Sequence, residues 1–150
     1  MRDQHTADGR ALGRLIFEAL RLGNALVVRG NELMAPLGLT SARWQVLGTV
    51  ALMPEPETVA GIARSLSLTR QSVQRVVNEL EGDGLLRLVE NPGHKRARLV
   101  VLTPSGRRAF AATERARIRW TEAMATDLSG HDFAAVERTL QSLRTRVASE

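Results

Sequence analysis

The sequence predicts a mainly α chain with one small β-hairpin (α+β), and three observations predict it. Helical apolar spacing runs through both ends of the 150 residues. Near the middle, two short amphipathic helical patterns, TVAGIARSL and TRQSVQRVVNEL, meet at a tight Ser67-Leu68 connection. After them GDG leads into two strand-like runs, LLRLVE and ARLVVLT, around a tip of turn-forming and mostly basic residues, NPGHKRAR. That order is a helix-turn-helix followed by a β-hairpin wing. Such a device places one helix in a DNA groove and a charged finger beside it.

Each element follows from local chemistry. Residues 1–9 are polar and charged and read as a frayed tail. From about residue 10 to residue 34 a helical pattern runs through Leu12, Leu15, Ile16, Ala19, Gly23, Leu26 and Val27, and it stops at Pro36 and Gly38. Thr40 has the side chain to cap a second helix carrying Trp44, Leu47, Val50 and Ala51, which Met53-Pro54-Glu55-Pro56 ends. Thr58 caps a short helix with Val59, Ile62, Ala63 and Leu66 on one face; Thr69 caps the next, with Val73, Val76, Val77 and Leu80 at helical spacing. Strands over 85–90 and 97–102 flank the turn residues Asn91-Pro92-Gly93. Thr103-Pro104 is an N-cap followed by proline at the first helical position. The helix it opens runs to about residue 128 with a small-residue stripe of Ala109, Ala112, Ala116 and Ala123. Ser129 can cap a last helix, in which Phe133, Val136, Leu140, Leu143 and Val147 form a heptad seam.

The layout predicts a tail and dimerisation helix over 1–36, a DNA-binding unit over 37–103 and dimerisation helices over 104–150. The terminal helices have too little core of their own. Their apolar faces, Leu12, Leu15, Ile16 and Ala19 on the first and the heptad seam on the last, are expected to bury against a second copy. The competing reading is an intramolecular helical cap.

Composition narrows the function. Apolar residues are 43% and charged residues 25%, ordinary for a globular domain. The net charge is +5, and every base but Lys95 is arginine. Between residues 58 and 108 lie nine bases and four acids, so this segment carries the whole excess. A localised basic field suits a polyanion. The absence of cysteine excludes disulfides, Cys-based zinc sites and thiol redox sensing. His5, His94 and His131 fall on unlike elements, which argues against a metal site. No Ser-His-Asp set, Gly-rich phosphate loop or carboxylate pair stands out, so neither an enzyme nor a cofactor is expected. No apolar run approaches the roughly 20 residues needed to span a bilayer. The expected location is the cytoplasm.

The residues that would read DNA are specific. With the valines of the second short helix on one side, Gln71, Arg75 and Asn78 lie opposite, and Ser72 and Gln74 flank them. Arg pairs bidentately with guanine, and Gln or Asn with adenine. The N-terminal half of a helix in the major groove meets most of the bases. That favours Thr69, Arg70, Gln71, Ser72 and Arg75. An ordinary surface helix also has a polar face, yet no acid occurs from Leu66 to Asn78. On the hairpin, His94, Lys95, Arg96 and Arg98 bunch together and repel one another unless a polyanion neutralises them.

These residues resemble the winged helix of the MarR family of bacterial transcriptional regulators. The resemblance lies in Ile62-Ala63-Arg64-Ser65-Leu66, the Thr69 to Leu80 reading helix, Gly84-Leu85-Leu86, the basic wing tip and Leu102-Thr103-Pro104-Ser105-Gly106. Gly38-Leu39-Thr40 with Trp44 and Leu47 is similar to the family's second helix. The resemblance implies a triangular homodimer that binds a pseudopalindrome in double-stranded DNA, usually as a repressor and often released by a small-molecule effector. It also implies an effector pocket near Arg43, Trp44, Leu47 and Trp120; the competing reading is that both tryptophans are core. The family's wing commonly carries Asp-x-Arg. Here His94 replaces the Asp, Lys95 holds the middle place and Arg96 keeps the arginine for minor-groove insertion. The alternative from another class is a winged-helix protein–protein assembly module without specific DNA binding.

Overall fold

The computed structural model describes residues 6–149. His5 and most of the expected tail lie outside them. The chain forms helices α1 (Ala7–Met34), α2 (Ser41–Leu52), α3 (Val59–Leu66), α4 (Arg70–Gly82), α5 (Pro104–Asp127) and α6 (Phe133–Ala148). Strands β1 (Glu57–Thr58), β2 (Leu86–Val89) and β3 (Leu99–Leu102) make one antiparallel sheet in the order β1-β3-β2. The predicted fold class is the observed one: mainly helical, with the helix-turn-helix followed by the hairpin.

The threonine caps are as expected. Thr40, Thr58, Thr69 and Thr103 each hold an extended backbone, and each hydroxyl oxygen accepts the N–H three residues on, at 3.0 to 3.2 Å. Each satisfies one donor that the first helical turn leaves open.

Four details differ from expectation. Helix α1 begins at Ala7 rather than near residue 10, because Thr6 accepts from Gly9 N at 3.0 Å and caps it. A 3-10 turn, Ala35–Leu37, fills the expected break after α1 and ends at Gly38 with φ 69, a left-handed backbone that suits glycine. Asp132, not Ser129, caps α6, since its carboxylate accepts from Ala135 N at 2.9 Å. Both hairpin strands are shorter than expected, and Glu57 and Thr58 add a third strand opposite Val100 and Leu99.

The core is continuous from the end of α1 to the hairpin. Met34, Leu47, Ile62, Val73, Val77 and Leu80 are completely buried, and Val46, Leu86 and Val100 nearly so. Helix α5 joins this core through Ala116 and the buried Thr113. The wing is locked to α5 at one point. The Thr103 hydroxyl donates to Gly84 O at 2.6 Å, and Thr103 N donates to Leu85 O at 3.1 Å. A Cβ at Gly106 would lie 1.9 Å from Leu85 O, so this crossing of backbones requires glycine.

The terminal helices behave differently. On α1, Leu12, Leu15 and Ile16 are exposed and Ala19 half-buried; on α6, Phe133, Val136, Leu140 and Val147 are exposed and Leu143 half-buried. No element of the chain packs extensively on α6 among the described residues. Helix α1 packs on α2 and α5, but among the described residues nothing covers most of these exposed apolar side chains.

Candidate nucleic-acid interface

Helix α4 presents one apolar and one polar side. Val73, Val76, Val77 and Leu80 point into the core, while Arg70, Gln71, Arg75 and Asn78 are exposed and Ser72 and Gln74 half-buried. At its N-terminus Thr69 and Ser72 are committed to each other. Ser72 N donates to Thr69 Oγ1 at 3.1 Å, and the Ser72 hydroxyl donates to Thr69 O at 2.9 Å. Further along, Gln74 Nε2 donates to Asn78 Oδ1 at 2.9 Å, and Arg75 Nη1 donates to Glu79 Oε1 at 2.6 Å. Sequence reasoning counted Glu79 among the acids of the segment but did not pair it with Arg75. Its signal was present, since an acid four residues after an arginine lies on the same helical face. Arg75 and Glu79 are 67% and 41% exposed. An exposed pair of this kind is worth roughly 0.3–0.5 kcal/mol, too little to withhold Arg75 from a base.

The wing tip is held by turn chemistry. Asn91 Oδ1 accepts from Gly93 N at 3.0 Å, and His94 N and Ala97 N donate to Asn91 O and His94 O at 3.1 and 3.3 Å. Arg98 Nη2 reaches back to donate to Leu88 O at 2.8 Å, tying this arginine to the hairpin stem. His94, Lys95 and Arg96 stand exposed at the tip.

The fold brings these two sets together. Arg70 and Gln74 of α4 and His94, Arg96 and Arg98 of the wing line one groove of about 460 Å³. Its inner wall is the start of α3, at Thr58, Val59 and Ala60. No acid lines it. Sequence reasoning did not include the start of α3; a threonine-capped helix end facing a basic loop was the only available signal. Gln71, Arg75 and Asn78 lie on the neighbouring outer face of α4, beyond this groove.

The four residues expected near an effector sit on two elements. Leu47 is sealed in the core, and Arg43 is ion-paired with Asp83. Trp44 and Trp120 are half-buried, and Trp44 packs against the core. No described helix is long and apolar enough to cross a membrane.

Residues 37–97 match the model of the MarR family. An uncharacterized protein of Mycobacterium tuberculosis is 39% identical over 142 residues, covering 92% of this chain and 93% of that protein. The transcriptional activatory protein BadR of Rhodopseudomonas palustris is 31% identical over 108 residues, covering 71% of this chain and 62% of BadR. Among solved structures, the M. tuberculosis transcriptional regulator MOSR in complex with DNA superposes with a TM-score of 0.72 at 21% identity, over 89% of this chain and 96% of that one.

Proposed function

The chain belongs to the MarR family of transcriptional regulators, and from that premise we propose that it binds a pseudopalindromic operator as a homodimer. Residues 37–103 form the DNA-binding unit of this reading, and 1–36 with 104–150 the dimer scaffold. The observation that carries it is the acid-free groove in which Arg70 and Gln74 meet His94, Arg96 and Arg98, beside the exposed face of α4. In this reading α4 enters the major groove. Arg75 leaves Glu79 to pair with guanine, while Gln71 and Asn78 face neighbouring bases. Thr69, Ser72 and Gln74 sit close to the backbone. Arg96 enters the minor groove, and His94, Lys95 and Arg98 face phosphates. That MOSR, a regulator of the same fold, was solved in complex with DNA supports a DNA-binding role by analogy of fold.

The homodimer reading rests on the apolar faces of α1 and α6, which one chain leaves uncovered. Many large apolar side chains exposed on one helix are the mark of an association site. Repression follows where the operator overlaps a promoter and the dimer excludes polymerase. In the same reading an effector would be felt through the half-buried Trp44 and Trp120, which lie on the two helices that join the scaffold to the core.

The test is selection of genomic fragments with the purified protein, followed by titration of the recovered site at several salt concentrations. The expected site is a pseudopalindrome with half-sites about one helical turn apart. Arg75→Ala costs roughly 1–3 kcal/mol and relaxes one base position, and Arg96→Ala lowers the salt slope by about 1. Recovery of no site, with flat salt dependence, would instead favour a protein–protein assembly module.

A further inference from the structure

We infer that Arg43 and Asp83 form a strut that fixes the angle of the reading helix α4 against α2 and against the corner at which the scaffold helix α1 gives way to α2. The two are positioning residues for DNA binding rather than contacts to DNA or to an effector. This inference rests on the DNA-binding reading above.

Arg43 lies in the first turn of α2, and Asp83 is the C-cap of α4, forty residues later. Arg43 Nη2 donates to Asp83 Oδ2. Its Nη1 donates to Gly38 O at 3.4 Å, at the corner where the chain leaves α1 for α2. One guanidinium therefore touches the corner between α1 and α2 on one side and the end of the reading helix on the other. The Arg43 side chain is only 15% exposed, so its planar fork has little freedom.

Two further observations make this a device for geometry. First, an acid at the carbonyl end of a helix is opposed by the helix dipole. Asp83 stands at that end of α4, and the last turn of α4 holds no base. Arg43 supplies the missing positive charge from another helix. Second, Arg43 Nε is buried and has no hydrogen-bond partner among the described residues. A buried donor without a partner is a cost. An apolar side chain at this place would avoid that cost, but it would not tie two helix ends at a fixed distance and direction.

In a dimer the two reading helices are separated by whatever angle each makes with its own half of the scaffold. A loose joint at Asp83 blurs that separation while leaving each helix able to read a half-site. Spacing between half-sites is then the property the strut controls.

The experiment uses the full-length protein and its selected operator, together with the same operator carrying one base pair added or removed at its centre, and an isolated half-site. The variants are Arg43→Met, Asp83→Asn, the double variant and the conservative Asp83→Glu. Wild type is expected to bind the respaced sites about 10-fold or more weakly, the size of a lost base contact. Arg43→Met and Asp83→Asn lose most of that discrimination and bind the half-site as wild type does. The double variant behaves like either single one, and Asp83→Glu recovers much of the discrimination. Asp83 is 56% exposed, so Asp83→Asn keeps the test valid if Arg43→Met does not fold. Variants that melt earlier yet keep the wild-type spacing ratio would reduce the pair to a structural contact and overturn the inference. Failure of the wild type to bind any fragment would overturn the DNA-binding reading, and this inference with it.

Discussion

Between Met34 and Leu102 the large apolar side chains mostly face inward, whereas on α1 and α6 many face solvent. Leu47, Ile62 and Leu80 are completely buried, while Phe17 is 64% and Val147 63% exposed. Both regions are helical and both follow helical apolar spacing, so periodicity does not distinguish them. The difference is one of closure. In the winged helix the apolar stripes of α2, α3 and α4 converge, and the hairpin seals their open side. Helix α1 joins that core only near its end, through Met34, and the exposed apolar residues of α1 and α6 are left largely uncovered by the described residues of the chain. The first region is a finished core, and the second, in the proposed dimer, is one half of an interface.

The strongest way to break this comparison is to open the finished core. Leu47→Ala removes a side chain that has no exposure, so both the transfer and cavity costs apply, about 2–5 kcal/mol together. Urea denaturation should show that loss at every protein concentration. A loss below about 1 kcal/mol would mean that the core is less closed than its burial implies.

The next effect falls on the unfinished region. Val136→Glu changes a residue that is 54% exposed in the single chain, where a glutamate is nearly harmless. In the proposed dimer the same glutamate enters a dry seam twice, at an expected cost on the order of 2–4 kcal/mol. The dimer dissociation constant should therefore rise by roughly 30- to 700-fold. Sedimentation should find the variant monomeric at micromolar concentration with its helical content retained. A variant that stays dimeric would place the interface elsewhere.

How much of this was legible in the sequence depends on the range of the interaction involved. The threonine caps were legible because a cap is settled by one side chain and the N–H three residues later. The apolar side of α4 was legible because helical geometry alone brings Val73, Val76, Val77 and Leu80 together. Strand β1 was not, since Glu57 and Thr58 pair with Val100 and Leu99 across forty or more intervening residues, and two residues carry no periodicity. The α6 cap was ambiguous because Ser129 and Asp132 both have capping side chains. The positive φ of Gly130 turns the chain between them, so the helix starts at the second. In the site, the polar face of α4 and the charge of the wing could be read separately. Their convergence on a shared groove, and the Arg43–Asp83 contact, depend on packing between distant segments.

The smallest effect concerns the turn between α3 and α4. Ser67 caps α3 with φ 55 and ψ 40, the one non-glycine residue with positive φ among those described. Its N–H donates to the carbonyls of Ala63 and Arg64, so the left-handed backbone is what closes the helix. A side chain in that conformation costs roughly 1–2 kcal/mol, and glycine avoids most of it. Glycine also loses more freedom on folding, so Ser67→Gly should gain only about 0.5–1 kcal/mol. The gain belongs to the finished core and not to the interface. Urea denaturation should therefore show higher stability, while sedimentation finds the dimer dissociation unchanged. If dissociation moved as well, the turn would be coupled to the scaffold, and the two regions would be less separate than their burial suggests.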